Sequence, residues 1–418
     1  MMLQIKKTKE WLILGGLLLA VSLMLWWQAF LPVWRDHLQV DVVTFYNRSH
    51  SFWLNGSFAK IGLNEHQPGT LLFFLLPGFF NTGWQDFLTY ETIFIFINIL
   101  LIWLHFWFYA SQRPFLTNLG FIMMMFFAGP ILLFRFELIV SLLCLLSFFC
   151  WQKGRQKLAL FLLGLATTAK IYPLLFVPYY LILVLKERKI NTKLKTMFNL
   201  VEFFIIGVFL PILLTFFWGL SPKQMLTALM FHASKPVGIE GILAMIITFL
   251  NKFVRGTYPV YYGAWGVNGL PISNCYFSLS FYNYLWIPPL LFFYYFLWKK
   301  TSNSKVDYTV PFLITLLFLI FSKGINPQYI FWFLLFFPMV KIDKVIEKYL
   351  VQLFLVLVVI LLTQYVYPLN YTQFLQNFYT RGQQVGIFYL NSLRNLLLIA
   401  LFIGLFKKTF YPKTHENR

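Results

Sequence analysis

Apolar runs recur along almost the whole of this 418-residue chain, and that recurrence leaves few folds open to it. With no water at membrane depth, every backbone N–H and C=O in such a run must be satisfied within the protein, which selects helices over open sheets. A hydrocarbon core of roughly 30 Å takes about 20 residues of helix, and the run from Trp11 to Leu31 meets that length. Charged residues make up 11% and hydrophobic residues 59%, against about 25% and about 45–50% in soluble domains. The expected fold is therefore all-α, a polytopic membrane protein of about twelve transmembrane helices with juxtamembrane helices on its outer face. Residues 1–418 read as a single integral membrane domain without an internal repeat.

Thirty-four basic side chains face 14 acidic ones, a net charge of +20. In a soluble protein that imbalance suggests nucleic acid; here it reads as topology, because Lys and Arg collect in cytoplasmic loops. The dense clusters are the N-terminal MMLQIKKTKE, KGRQK at 153–157, KERKINTKLK at 186–195, KKTSNSK at 299–305, KIDKVIEK at 341–348 and the tail from Lys407. Crossings expected at 85–109, 115–133, 138–151, 198–220, 276–298, 308–321, 329–340, 349–367 and 388–406, with short helices at 158–169 and 172–185, put these clusters on one side. Both termini then lie inside, and the first run, lacking a small-residue cleavage site, is a retained span. Residues 67–80 and 242–254 are short and suit surface-lying or re-entrant segments. The outer loops become 32–68, 220–241, 255–275, 322–328 and 368–387. Cys144, Cys150 and Cys275 have no metal-ligand spacing and read as small hydrophobes.

The first outer loop holds Asp36, Asp41 and Glu65, three of only 14 acidic residues. Arg135, Glu137, His232, Lys235, Glu240, Lys323 and Gln328 fall on the same side. Each has a plain reading alone, as a solvated loop charge or, for Arg135 and Glu137, a local ion pair at a helix start. Their concentration on one face reads as a site, since charge at membrane depth is costly. Lys170 interrupts the apolar stretch GLATTAKIYP, and an ammonium there calls for an anionic partner such as a lipid phosphate. A transporter or flippase of lipid-linked sugars is the competing class; it predicts internal symmetry and polar residues at the midplane.

These residues resemble motifs of the C-superfamily membrane glycosyltransferases, and most closely glycosyltransferase family 87, which includes polyprenol-phosphate-mannose-dependent α-mannosyltransferases. The early acid followed by an aromatic pair is similar to Asp41, Phe45 and Tyr46, and the Glu-Tyr-Pro-Pro block to Glu65, His66, Gln67 and Pro68. The Arg-Phe-Asp block is similar to Arg135, Phe136 and Glu137, and the Thr-Lys-x-Tyr-Pro block to Ala169, Lys170, Ile171, Tyr172 and Pro173. Later blocks are similar to His232 with Lys235, Pro236, Ile239 and Glu240, and to Lys323 with Pro327, Gln328 and Tyr329. Gln67 replaces a proline, Glu137 an Asp, and Lys235 an Arg, whose bidentate fork a lysine does not reproduce.

The resemblance implies a C-superfamily fold and transfer of a mannose-like hexose from a polyprenyl-phosphate-linked donor to an acceptor glycan or glycolipid on the outer face. It implies Asp41 as general base, with Asp36 and Tyr46 in reserve. Glu65 and Glu137 would orient the acceptor or, if a divalent metal ion is used, help bind it. Arg135, Lys170, Tyr172, His232, Lys235, Glu240, Lys323 and Gln328 would hold donor phosphate or sugar. The implied partners are these lipid substrates and the bilayer, with no nucleic acid.

Overall fold

The computed structural model describes residues 2–61, 65–80, 86–186, 193–256, 262–264, 267–270, 273, 275–301, 305–340, 346–379 and 386–411. Residues 187–192, 302–304, 341–345 and 412–418, which are parts of the basic clusters, and parts of the expected loops 32–68, 255–275 and 368–387, lie outside the described residues.

The chain is helical, as its patterning predicts. It runs through α1 (Met2–Ala29), α2 (Pro32–Asn55), α3 (Pro68–Phe80), α4 (Phe87–Ala110), α5 (Phe115–Ala128), α6 (Glu137–Gln152) and α7 (Gln156–Ala169). Then come α8 (Val177–Leu185), α9 (Lys193–Phe217), α10 (Pro222–Ser234), α11 (Ile242–Arg255), α12 (Leu279–Tyr284) and α13 (Ile287–Lys300). The last are α14 (Thr309–Phe321), α15 (Phe331–Leu334), α16 (Ile346–Gln364), α17 (Tyr371–Tyr379) and α18 (Gly386–Phe410). A small antiparallel sheet adds β1 (Val237–Gly238), β2 (Tyr262–Ala264) and β3 (Val267–Leu270) in the order β1-β3-β2, with Val237 opposite Leu270 and Tyr262 opposite Gly269.

Six helical segments among the described residues are long and apolar enough to cross a membrane: Thr8–Ala29, Phe87–Ala110, Phe115–Phe134, Lys195–Phe217, Ile346–Leu369 and Gly386–Phe410. Large hydrophobic side chains such as Leu12, Trp107, Phe198 and Phe217 are exposed on them, as suits a surface facing hydrocarbon. Several expected crossings are shorter or broken. The run 276–298 divides into α12 and α13 because Pro288 and Pro289 stand at the start of α13, where a missing N–H costs nothing. The run 329–340 folds as 3₁₀ turns around the single turn of α15, with Pro327 and Pro338 opening the flanking turns.

The clearest correction concerns the first outer loop, most of which is the continuous helix α2. Pro32 sits in its first turn, and Gly56 ends it at φ +64°, its N–H donating to the Phe52 carbonyl. Trp34, Leu38, Val42, Phe45, Ser49 and Phe52 form the buried stripe, at helical spacings of three and four.

The chain divides into two compact units, residues 1–174 with 194–230, and residues 175–193 with 231–418. In the first, α6 and α7 form a hairpin and α2, α3 and α4 pack together. In the second, Val237, Ile239, Leu243, Ile247, Leu270, Val366 and Phe374 form a buried cluster linking the small sheet to the helices.

Candidate functional site

In the first unit the sequence-selected charges meet as pairs. Arg135 follows the 3₁₀ turn Gly129–Phe134 in extended backbone. Its Nη1 lies 2.6 Å from Asp41 Oδ2 and donates to the carbonyls of Phe134 at 3.1 Å and Leu38 at 3.3 Å. The guanidinium is 5% exposed and the Asp41 carboxylate 44%, so the pair has one buried and one open partner. Glu137, the first residue of α6, accepts from Lys170 Nζ, and both side chains are largely buried. Lys170 leaves the end of α7 in extended backbone, with Nζ 4.6 Å from the Phe136 ring centroid. Between Glu137 and Lys170, where little water reaches, the attraction of the two charges is stronger than it is at a surface.

The frame around these pairs is aromatic and close-packed. Phe45, one turn beyond Asp41, stacks on Phe74 at 4.1 Å and meets His66 and Phe136 edge-on at 5.5 and 5.8 Å. Thr70 Oγ1 donates to the Ala169 carbonyl, next to Lys170. A Cβ on Gly69 would lie 2.6 Å from Thr168 Oγ1 and 2.8 Å from the Ala169 nitrogen, so glycine is what lets α3 approach the end of α7 so closely. Glu65 lies in the electrostatic reach of Arg48; burial lowers the Arg48 pKa from its ordinary value and Glu65 works against that shift. Tyr172 is buried beside Cys144. Tyr46 stacks on His50 at 5.3 Å. Asp36 is exposed on α2, about 140° around the helix from Asp41.

In the second unit, Lys323 Nζ donates to the Ala233 carbonyl at 2.8 Å, and Lys235 Nζ lies 4.4 Å from the Phe231 ring centroid. Burial, and then repulsion from Lys235, lower Lys323 to about 8. His232 is exposed in the last turn of α10, and Gln328 is half-buried in the 3₁₀ turn Pro327–Ile330. Glu240 is buried; desolvation pushes its carboxyl up to about 7, opposed by a hydrogen bond from Tyr371 and by Arg394. The selected residues therefore fall into two groups: Asp41, Glu65, Arg135, Glu137, Lys170 and Tyr172 in the first unit, and Lys235, Glu240 and Lys323 in the second.

Sequence reasoning missed Arg48, Tyr371, Arg394, Asn391 and Asn395. For Arg48 a signal existed, because Asp41, Phe45 and Arg48 stand at i, i+4 and i+7 and share one helix face; a loop reading hid it. Arg394 sits in an apolar run, where its isolation was the signal. Among the described residues no three His, Cys, Asp or Glu side chains are grouped to hold a metal ion. Asp41 and Glu137 each already engage a side-chain cation, an arrangement that does not fit a divalent ion between them.

The model of glycosyltransferase family 87 matches residues 66–264, just under half of the chain. Arg135, Glu137, Lys170, Tyr172, His232, Lys235 and Glu240 lie inside that match, and Asp36, Asp41, Tyr46, Glu65, Lys323 and Gln328 outside it. No curated protein matches the chain.

Proposed function

We propose that this protein is a membrane glycosyltransferase of the C-superfamily type, moving a mannose-like hexose from a polyprenyl-phosphate-linked donor to an acceptor glycan or glycolipid. The observation that carries the reading is the pairing of Asp41 with Arg135 beside the Glu137–Lys170 pair, two of these four residues standing in sequence next to Phe136 within a segment similar to a glycosyltransferase family.

The chemistry needs a base for an acceptor hydroxyl and positive charge for a departing phosphate. Asp41 takes the hydroxyl proton as the acceptor oxygen bonds to the anomeric carbon. The bond from that carbon to the phosphate oxygen breaks, and its electron pair leaves with the phosphate. When the donor phosphate shares Arg135, Asp41, the exposed partner of the pair, turns to the acceptor hydroxyl. Lys170 adds the second cation, and Glu137 keeps it in place while orienting the acceptor. Lys235 and Lys323 in the second unit, two cations close enough to repel, form an anion-binding pair. The bilayer supplies the donor lipid; a polyprenol carrier points to a bacterial cytoplasmic membrane, and the basic clusters support both termini inside with this site on the outer face.

The test is purified protein in nanodiscs given a sugar-labelled polyprenyl phosphate and a glycolipid acceptor. We expect labelled acceptor and free polyprenyl phosphate in equal amounts. Transfer from a nucleotide sugar, with none from the lipid donor, would overturn the donor assignment.

A further inference from the structure

Three side chains on one face of α18 converge on a single backbone atom. Asn391, Arg394 and Asn395, at i, i+3 and i+4, are each fully buried. Asn391 Nδ2 at 3.3 Å, Asn395 Nδ2 at 3.2 Å and Arg394 Nη2 all donate to the carbonyl oxygen of Glu240. Arg394 is braced from the side, its Nε and Nη2 donating to Asn395 Oδ1 at 3.2 and 2.9 Å. The Glu240 carboxylate is held separately: it accepts from the Tyr371 hydroxyl and lies in the field of Arg394. The Tyr371 oxygen in turn accepts from Asn268 Nδ2, and the Asn268 carbonyl accepts from the Ile239 N–H at 3.1 Å. A guanidinium at membrane depth is retained for a reason, and here its contacts end on one short backbone segment.

That segment also sets the two lysines. Gly238 donates from its N–H to the Lys323 carbonyl at 2.8 Å and pairs with Gly269 in the sheet. Lys235 stands three residues before Gly238, and Lys323 Nζ reaches back to Ala233. Any shift of residues 238–241 moves the Lys323 backbone and the Lys235 side chain together.

We infer that Arg394 and Glu240 are a buried positioning pair that fixes the 237–241 segment and, through it, the spacing of Lys235 and Lys323 for the phosphate of an anionic lipid substrate. The inference rests on the proposed reading of the two lysines as an anion site. It takes Glu240 out of the set of groups that touch substrate and gives a role to three α18 side chains.

The experiment compares the full-length wild type with Arg394→Gln, Glu240→Gln and the double variant, measuring binding of a short polyprenyl phosphate and of inorganic phosphate, with the matching polyprenol as uncharged control. Removing the cation alone leaves a buried carboxyl unbalanced, so Arg394→Gln should weaken lipid-phosphate binding about tenfold and raise the donor KM with kcat within about twofold. The double variant keeps neutral hydrogen-bonding groups and should recover binding to within about threefold of wild type. Should a single variant fail to fold, the folded double variant carries the test. A folded double variant that loses phosphate binding, or a Glu240→Gln whose kcat collapses with binding intact, would show that Glu240 acts on substrate and overturn the inference. Tighter binding of the lipid phosphate than of inorganic phosphate is expected for a lipid substrate; equal binding of both would assign the pair to free phosphate. A wild type that binds neither would defeat the underlying reading of the lysine pair instead.

Discussion

Lys170 and Glu137 are coupled more tightly than their sequence separation suggests, since each largely buries the other's charge. Replacing Lys170 by Met strands a carboxylate that is 1% exposed, and the loss should be about 3–5 kcal/mol of stability in denaturant unfolding. Pairing that change with Glu137→Gln should return most of it, because a neutral pair of similar volume carries no stranded charge; a double variant no more stable than the single would contradict the pairing. Lys323 gives a prediction of sign. Its pKa in the fold, about 8, lies below the ordinary 10.5, so its charge is lost as pH rises through about 8 while the unfolded chain keeps that proton to higher pH. Phosphate binding should therefore fall between pH 8 and 10.5, and over the same window this residue's contribution to stability should rise, because the unfolded state binds more protons. Lys323→Arg, which stays protonated, should flatten the binding profile.

At the scale of elements, the site depends on α2 being a helix and on α3 meeting the end of α7. Gly69→Ala puts a methyl group against Thr168 and the Ala169 backbone. It should cost about 1–3 kcal/mol in unfolding experiments and lower activity through Lys170; an alanine variant with wild-type stability would refute the close approach. A second element-level feature is basic and aromatic. Lys299 and Lys300 end α13, Lys407 and Lys408 end α18, and Phe296, Phe406 and Tyr411 join the two ends. Lys300 lies 5.0 Å from the Tyr411 ring and Lys186 5.7 Å from that of Trp298. This is the composition of a membrane-interface anchor, and changing Lys299, Lys300, Lys407 and Lys408 to Gln should reduce the preference for anionic over zwitterionic vesicles in reconstitution.

These elements also show what the sequence made legible. The long spans were readable because hydropathy over about 20 residues is a strong signal. The charged residues were readable, since Arg135, Glu137 and Lys170 stood out in apolar surroundings, but their partners were not: in place of a local Arg135–Glu137 pair, Arg135 meets Asp41 and Glu137 meets Lys170. α2 was not, because its Asp, His, Asn and Arg residues dilute hydropathy even though the stripe from Trp34 to Phe52 keeps helical spacing. The breaks at Pro288 and Pro338 lay within runs whose average polarity gave no warning. Partners that arise only from tertiary approach, such as Thr70 with Ala169 or Asn391 with Glu240, leave no mark in local pattern.

The molecule as a whole joins three things: six helices, among the described residues, able to cross a membrane, an excess of basic charge gathered in clusters, and a centre in which an open carboxylate is held by a buried guanidinium. If the clusters mark the inner side, single cysteines placed at Asn47 on α2 and at Lys153 after α6, in a protein whose own cysteines are replaced, should label from opposite sides of sealed vesicles. Labelling from the same side would reverse the assignment of Asp41 to the outer face. The most direct measurement is the rate of sugar transfer from the polyprenyl-phosphate donor in Asp41→Asn and Asp36→Asn side by side, with donor binding measured in each. We predict a loss of about 10²–10⁴-fold for Asp41→Asn and a rate within about threefold of wild type for Asp36→Asn, whose side chain lies on another face of α2; an Asp41→Asn protein that binds donor and transfers sugar at the wild-type rate would contradict the account.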